Sequence, residues 1–250
     1  KANQITAILG AKTPHIQNLA VGGVANAINL DDETALNMTR LLKVKNFFDE
    51  VNEFVSQVYL IDVAAVGSFY LDWAGYGAGH KNYLGVPEFP LDSKGTKFDM
   101  MGGVIMGGNL AKAKAITSFN DPYFEDNVKE SIARSWYDGN WSKHPYEETT
   151  EVKYTGFDRD GKYSYVKAPR FQDQPMEVGP LARAVIGYAA GHEEIQSTVD
   201  FVLNELGVGA EVLFSTLGRT AARCIETVLM VQKTPQWLDE LAANMAAGDL

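Results

Sequence analysis

The chain has 250 residues, 46% of them apolar, and a formal net charge of −10. That is enough for one large domain or two small ones around a substantial core, and the wrong sign for a surface that grips nucleic acid non-specifically. The single cysteine, Cys224, excludes an internal disulfide framework and a self-sufficient thiolate metal site. No apolar run reaches the roughly 18 residues that cross a bilayer, because the stretch 51–70 is broken by Asn52, Glu53, Gln57 and Asp62.

Residues 1–34, punctuated by Pro14, Gly22, Gly23 and several Asn, predict loop and extended backbone. Asp32-Glu33-Thr34 then opens a helical pattern in which Leu36, Met38, Leu41, Leu42, Val44, Phe47, Phe48, Val51, Phe54, Val55 and Val58 recur near the helical period. Acidic residues stand at its start, where the helix dipole favours them. The pattern predicts a helix to about Tyr59, with 63–70 as its continuation or a separate short helix. The Gly- and Pro-rich stretch 71–118 predicts short strands and turns; a loop-rich segment of that length is functional or packed on something. A short helix is expected over Tyr123–Trp136. Residues 148–170 alternate around Asp158-Arg159-Asp160-Gly161, which predicts a hairpin turn between Tyr154 and Tyr163-Ser164-Tyr165-Val166. Pro180 suits the first turn of a helix over 181–190. A second helix covers about 193–206, stopped by Gly207 and Gly209. A further helical region spans 213–231, and Pro235 starts another short one. The fold class expected is mainly α with a small antiparallel β insertion, and nothing alternates as βαβ. The first residues carry no initiator Met and no signal pattern, and the last form no closing element. Both ends read as cuts through a longer protein.

Few motifs carry chemistry on their own. His15, His80, His144 and His192 share no i, i+4 spacing, and His192-Glu193-Glu194 lacks the second His of a zinc-protease helix. Gly75-Tyr76-Gly77-Ala78-Gly79 follows no clear strand and opens no helix, so it reads as a turn rather than a phosphate loop. Asp158-Arg159-Asp160-Gly161 begins like a calcium loop, but the ligand series breaks at Lys162. Ser215-Thr216-Leu217-Gly218-Arg219 lacks the flanking glycines of a nucleophile elbow. Cys224, in a helical stretch with no adjacent His, reads as a packed thiol. Glu88, Lys167 and Glu177 differ: each is a lone charge in an apolar or Pro-flanked segment. A charge held there calls for an ionic partner or a site, with a solvated loop charge as the alternative. Pattern alone reaches no further than a helix-rich globular fragment.

Read in order, longer segments resemble one family. Ala11-Lys12-Thr13-Pro14-His15-Ile16-Gln17-Asn18-Leu19-Ala20-Val21-Gly22-Gly23-Val24 is similar to the Pro-His-x-Gln…Val-Gly-Gly-Val stretch of nickel-iron hydrogenase large subunits. Ser135-Trp136-Tyr137 with His144-Pro145-Tyr146, then Lys162-Tyr163-Ser164-Tyr165-Val166-Lys167-Ala168-Pro169-Arg170, resemble the next landmarks. Met176-Glu177-Val178-Gly179-Pro180-Leu181-Ala182 and Ser215-Thr216-Leu217-Gly218-Arg219-Thr220-Ala221-Ala222-Arg223 complete the series. Each motif is weak alone; their collinear order over nearly the whole chain is specific. Where several relatives continue with Thr-Cys or Pro-Cys, this chain has Ala25-Asn26, which points to a subgroup.

The resemblance implies that residues 1–250 are part of a hydrogenase large-subunit domain, truncated at both ends, with the central part of that fold. The activity implied is the reversible oxidation of H2 to protons and electrons, passed to an iron-sulfur small subunit. In the family, a nickel and an iron carrying cyanide and carbon monoxide lie between thiolates from a Cys-x-x-Cys near each end. Soft thiolates suit both metals. Neither motif is present, nor is the downstream Pro-Arg-Gly segment, and Cys224 matches none of the ligands. The resemblance therefore places no metal ligand and no catalytic residue within this sequence, which is expected to be inactive alone. It places His15 against the small subunit, near the iron-sulfur cluster closest to the active site. There an imidazole can hydrogen-bond a cluster sulfur or its cysteine ligand and tune the potential. Lys167 is implied in a polar network around a structural magnesium site of the complete protein, and Glu177 as a cap or interface charge. The location implied is the periplasmic side of a membrane, reached only through partner subunits. Two other readings compete: a metal-free scaffold subunit of a respiratory complex I-like assembly, and an unrelated helical binding module.

Overall fold

The computed structural model describes residues 1–21, 23–92, 94–140, 142–143 and 151–248. In chain order its elements are α1 (Ala2–Gly10), β1 (Leu19–Ala20), β2 (Gly23–Val24), α2 (Met38–Phe54), a π-helical turn (Val55–Tyr59) and α3 (Leu60–Ser68). There follow β3 (Tyr83–Gly85), β4 (Glu88–Pro90), β5 (Phe98–Met100), β6 (Gly102–Ile105), β7 (Lys114–Ile116), α4 (Pro122–Glu125), β8 (Val128–Ser131), β9 (Ser142–Lys143) and β10 (Ala168–Phe171). The chain closes with α5 (Pro180–Ala190), α6 (Glu193–Leu206) and α7 (Thr216–Ala247). Helices dominate and every paired strand is antiparallel, as the sequence predicts. The residues fall into two compact units, one of 1–69 with 223–250 and one of 70–222.

In the first unit, Ile5 of α1, Leu41 and Val44 of α2, and Leu238 and Met245 of α7 form one buried cluster. The helix α1 corrects the expectation of irregular backbone over 1–34. Ile5, Ile8 and Leu9 make a short i, i+3, i+4 stripe that packs on α2 and α7, and burial of that stripe outweighs the nearby Gly and Pro. Helix α2 starts later than expected, at Met38. Its cap is Asn37, whose side chain accepts from the Arg40 amide at 3.0 Å. Asp32 instead accepts from the Thr34 amide at 2.7 Å, a local turn that competes with helix. Residues 60–68 continue the helix after the π turn, which buries Val55 against Val228 and Val231.

Helix α7 runs through Pro235 rather than restarting there. Proline in a helix interior costs about 3 kcal/mol. Here buried residues on both sides, Val228 and Val231 before it and Leu238 and Met245 after it, hold the helix together.

In the second unit, β3-β6-β7 form one small sheet and β10-β8-β9 another, with β4 and β5 paired separately. Helix α5 packs on β3 and β6. A side chain at Gly85 or Gly103 would meet Ile186 of α5 at 3.1 and 3.0 Å, so these glycines permit the approach. Val104, Ile116 and Phe171 make a buried core beside the sheets.

Two expectations are corrected here. Over 123–136 only Pro122–Glu125 is helical, capped by Asp121; the chain then becomes β8, which pairs with β10 in the register Ser131↔Ala168. The turn at Asp158–Gly161 forms, with the Asp158 amide donating to the Lys162 carbonyl at 2.9 Å. Its flanks do not pair with each other. Val152 bridges Tyr137 and Ser164 bridges Ser135. The core residue Trp136, whose Nε1 donates to the Gly156 carbonyl at 2.8 Å, draws both flanks toward 134–137.

Candidate functional site

His15 lies in the loop that leaves α1. Ala11 ends the helix in a left-handed conformation, φ 66°. The last turn of any helix leaves carbonyls without intrahelical partners. In α1 the returning chain supplies partners for two of them: the Gln17 amide donates to the Gly10 carbonyl at 3.1 Å, and Asn18 Nδ2 to the Leu9 carbonyl at 2.7 Å. Asn18 Nδ2 also donates to Asn26 Oδ1 at 2.7 Å, and its carbonyl accepts from the Ala25 amide at 2.7 Å. Asn18 is buried and its Oδ1 has no hydrogen-bond partner among the described residues. The His15 ring is exposed, and no partner for it is found among the described residues. Around it Ile16, Leu19, Val21 and Val24 are exposed.

The other histidines are not gathered with it. His80 Nδ1 accepts from the Asn82 amide at 3.2 Å. His192 caps α6: its Nδ1 accepts from the Ile195 amide at 3.4 Å, and its Nε2 lies 3.0 Å from the Asp99 carbonyl. Serving both makes the neutral Nε2–H tautomer the fitting one. His144 lies outside the described residues.

The three lone charges each have an ionic partner. Glu177 meets Arg219 in a two-pronged pair, Nε to Oε1 and NH2 to Oε2 at 2.7 Å each. A bidentate guanidinium–carboxylate pair is the strongest form of such contacts. The same guanidinium donates to the Gly77 carbonyl, fastening the glycine-rich turn to the first turns of α7. Lys167 donates to Glu130 at 2.9 Å and lies 5.0 Å from the centre of the Tyr137 ring. Glu88 and Arg183 are 3.4 Å apart. Beneath the Glu177–Arg219 pair, Tyr83 is fully buried and stacked on Phe214. Burial first, and then the Glu177 carboxylate, push its phenol up to about 12.

No group of three or more His, Cys, Asp and Glu side chains is placed to hold a metal among the described residues. Cys224 is buried, and burial pushes its thiol up to about 11. It stays protonated at neutral pH and does not fit a thiolate ligand. Sequence reasoning named His15, Lys167 and Glu177 but missed their surroundings. Arg219 and Asn18 stood inside quoted motifs, and Asn26 at the point of departure from relatives. Glu130 and Tyr83 carried no signal, since only the fold brings them beside Lys167 and Glu177.

A family model for nickel-dependent hydrogenases matches residues 1–250. The chain is 43% identical over 256 residues to the Hydrogenase-2 large chain of Escherichia coli K12, covering 99% of this chain and 45% of that protein. It is 39% identical to the uptake hydrogenase large subunit of Bradyrhizobium diazoefficiens, covering 98% of this chain and 44% of that one. Among solved structures it resembles the NiFeSe hydrogenase of Desulfovibrio vulgaris Hildenborough, with a TM-score of 0.72 and 31% identity over 95% of this chain and 46% of that one. The chain belongs to the nickel-dependent hydrogenase family, and it spans about 45% of the length of the E. coli relative.

Proposed function

We propose that residues 1–250 form part of the catalytic large subunit of a nickel-iron hydrogenase, which oxidises H2 reversibly to protons and electrons with an iron-sulfur small subunit as partner. The match of the family model from the first residue to the last carries this reading. The relatives named above are hydrogenase large chains, and the metal-free scaffold of a complex I-like assembly finds no support among them.

In the complete protein a nickel and an iron bearing cyanide and carbon monoxide would do the bond-making on H2. The described residues do not fit that centre, because Cys224 is a lone protonated thiol. No step at the metals is assigned to them. A structural magnesium ion likewise finds no carboxylate cluster among the described residues. Lys167 is read as the partner that neutralises Glu130, and Glu177 as the anchor of Arg219.

His15 is the residue read as functional, hydrogen-bonding the small subunit's nearest iron-sulfur cluster or a cysteine that holds it. Support comes from its exposed ring and from the exposed apolar side chains of Ile16, Leu19, Val21 and Val24 around it, a surface suited to burial against a partner. Attachment to the periplasmic face of a membrane is read as indirect, through partner subunits. One relative, of Wolinella succinogenes, is named a quinone-reactive Ni/Fe-hydrogenase large chain, and no helix among the described residues is long and apolar enough to cross a membrane.

The test is to co-express the complete reading frame with its small subunit, then assay nickel and H2-dependent dye reduction. Stoichiometric nickel with H2-dependent reduction is expected. A complete chain with neither would refute the reading.

A further inference from the structure

We propose that Asn18 is the positioning residue for His15: its side chain closes the base of the loop that presents the imidazole, and so fixes where the ring stands when the partner subunit docks. This rests on the reading that His15 meets the partner's cluster.

The loop is pinched at one place. Its entry is the C-terminus of α1 and its exit is Gln17-Asn18, and the two are joined by the Gln17–Gly10 backbone bond at 3.1 Å and the Asn18–Leu9 bond at 2.7 Å. Ile16 packs so closely on Gly10 that a side chain at position 10 would overlap it. His15 is one residue from that contact, on the exposed side. Asn18 also reaches forward. Its Nδ2 holds Asn26 at 2.7 Å and its carbonyl holds the Ala25 amide at 2.7 Å, tying the loop to the β1–β2 ribbon. One buried amide thus joins the helix, the loop and the ribbon.

The chemistry requires an amide at this position. Both Nδ2 contacts are to oxygen acceptors, which fixes the donor end of the side chain. Aspartate has the same shape but no donor, and it would put a buried carboxylate against the Leu9 carbonyl and Asn26 Oδ1. At position 26 only an acceptor is needed, and aspartate supplies one. An exposed imidazole with no partner among the described residues has nothing else there to fix it. A hydrogen bond falls off steeply with distance and angle, so a loosened loop weakens what His15 does without removing the ring.

The experiment uses the assembled heterodimer and compares His15→Ala, Asn18→Asp, Asn26→Asp and the His15→Ala/Asn18→Asp double variant. The readout is the midpoint potential and EPR signal of the cluster nearest the large chain. The expected result is a shift in His15→Ala, a shift of the same sign in Asn18→Asp, a wild-type signal in Asn26→Asp, and no further shift in the double variant. A shift in His15→Ala with a wild-type signal in Asn18→Asp overturns the positioning role and leaves the His15 reading standing. No shift in His15→Ala overturns that reading, and this inference with it. Additive shifts in the double variant would show that Asn18 acts by another route, and also overturn it. Should Asn18→Asp fail to assemble, Asn26→Ala, which removes one of the two Nδ2 acceptors, is judged against His15→Ala by the same criteria.

Discussion

Glu177 and Arg219, 42 positions apart, meet through two hydrogen bonds of 2.7 Å, and the same guanidinium reaches the Gly77 carbonyl. One ion pair therefore joins the chain beside β3, the glycine-rich turn and the start of α7. The Tyr83 phenol is buried alongside; burial first, and then the Glu177 carboxylate, push it up, and the Arg219 guanidinium acts in the opposite direction.

Glu177→Gln in the complete protein is expected to lower stability by about 1–3 kcal/mol. Breaking a buried pair costs about 3–5 kcal/mol; the value is reduced because the two side chains are 21% and 26% exposed. Arg219→Lys should fall between wild type and Glu177→Gln, since an ammonium keeps the charge and loses the planar fork. Thermal midpoints and proteolysis of the 75–79 turn are the measurements. A Glu177→Gln protein as stable as wild type would show that the pair contributes nothing.

Alkali should destabilise the protein in two steps. Burial raises the Cys224 thiol from 9.0 to about 11, so its unfolded form ionises first. Its contribution is whole below pH 9 and is lost as pH rises toward 11. Tyr83 adds a second loss between pH 10 and about 12. Cys224→Ala should flatten the first part of the decline in thermal midpoint and Tyr83→Phe the second. An unchanged alkaline slope in Cys224→Ala would contradict the burial of the thiol, as would rapid maleimide labelling of the native protein at neutral pH.

Asp121 is one of the carboxylates through which acid acts. The Thr117 and Tyr123 amides, each 2.9 Å from its carboxylate, hold it below the ordinary value of 3.8. Its contribution is present above that value and is lost as pH falls through the lowered native one. Asp121→Asn keeps an acceptor for the cap of α4 and cannot titrate, so its stability curve should be flatter on the acid side. Curves that superimpose from pH 6 to pH 3 would rule this out.

Helices α5 and α6 touch where Gly187 faces Ile195, whose side chain occupies the space a methyl group would need. Gly187→Ala should cost about 1–3 kcal/mol through overpacking. Adding Ile195→Val removes the methyl nearest position 187, and the double variant should recover part of the loss. Additive losses in urea unfolding would mean that the two residues do not meet as described.

Local rules made several elements legible in the sequence. Pro180 at a first turn and the apolar spacing after it gave α5, and Gly207 after an amphipathic stretch gave α6 to its last residue. The same reading placed His15, Lys167 and Glu177 as the residues to watch. It could not supply their partners. Glu130 lies 37 positions from Lys167, and Asn18 acts through the helix carbonyl it caps.

What the sequence determined by itself was the family, the helix-rich class and the absence of a cysteine pair, because each is a matter of which residues stand at which spacing. Tertiary structure decided the rest. Alone, 2–10 reads as loop, yet Ile5 finds Leu41 and Leu238 and the segment becomes helix. Residues 128–131 read as the middle of a helix, and 168–171 make them a strand. In each case burial and pairing with distant residues outweigh local preferences worth less than about 1 kcal/mol per residue.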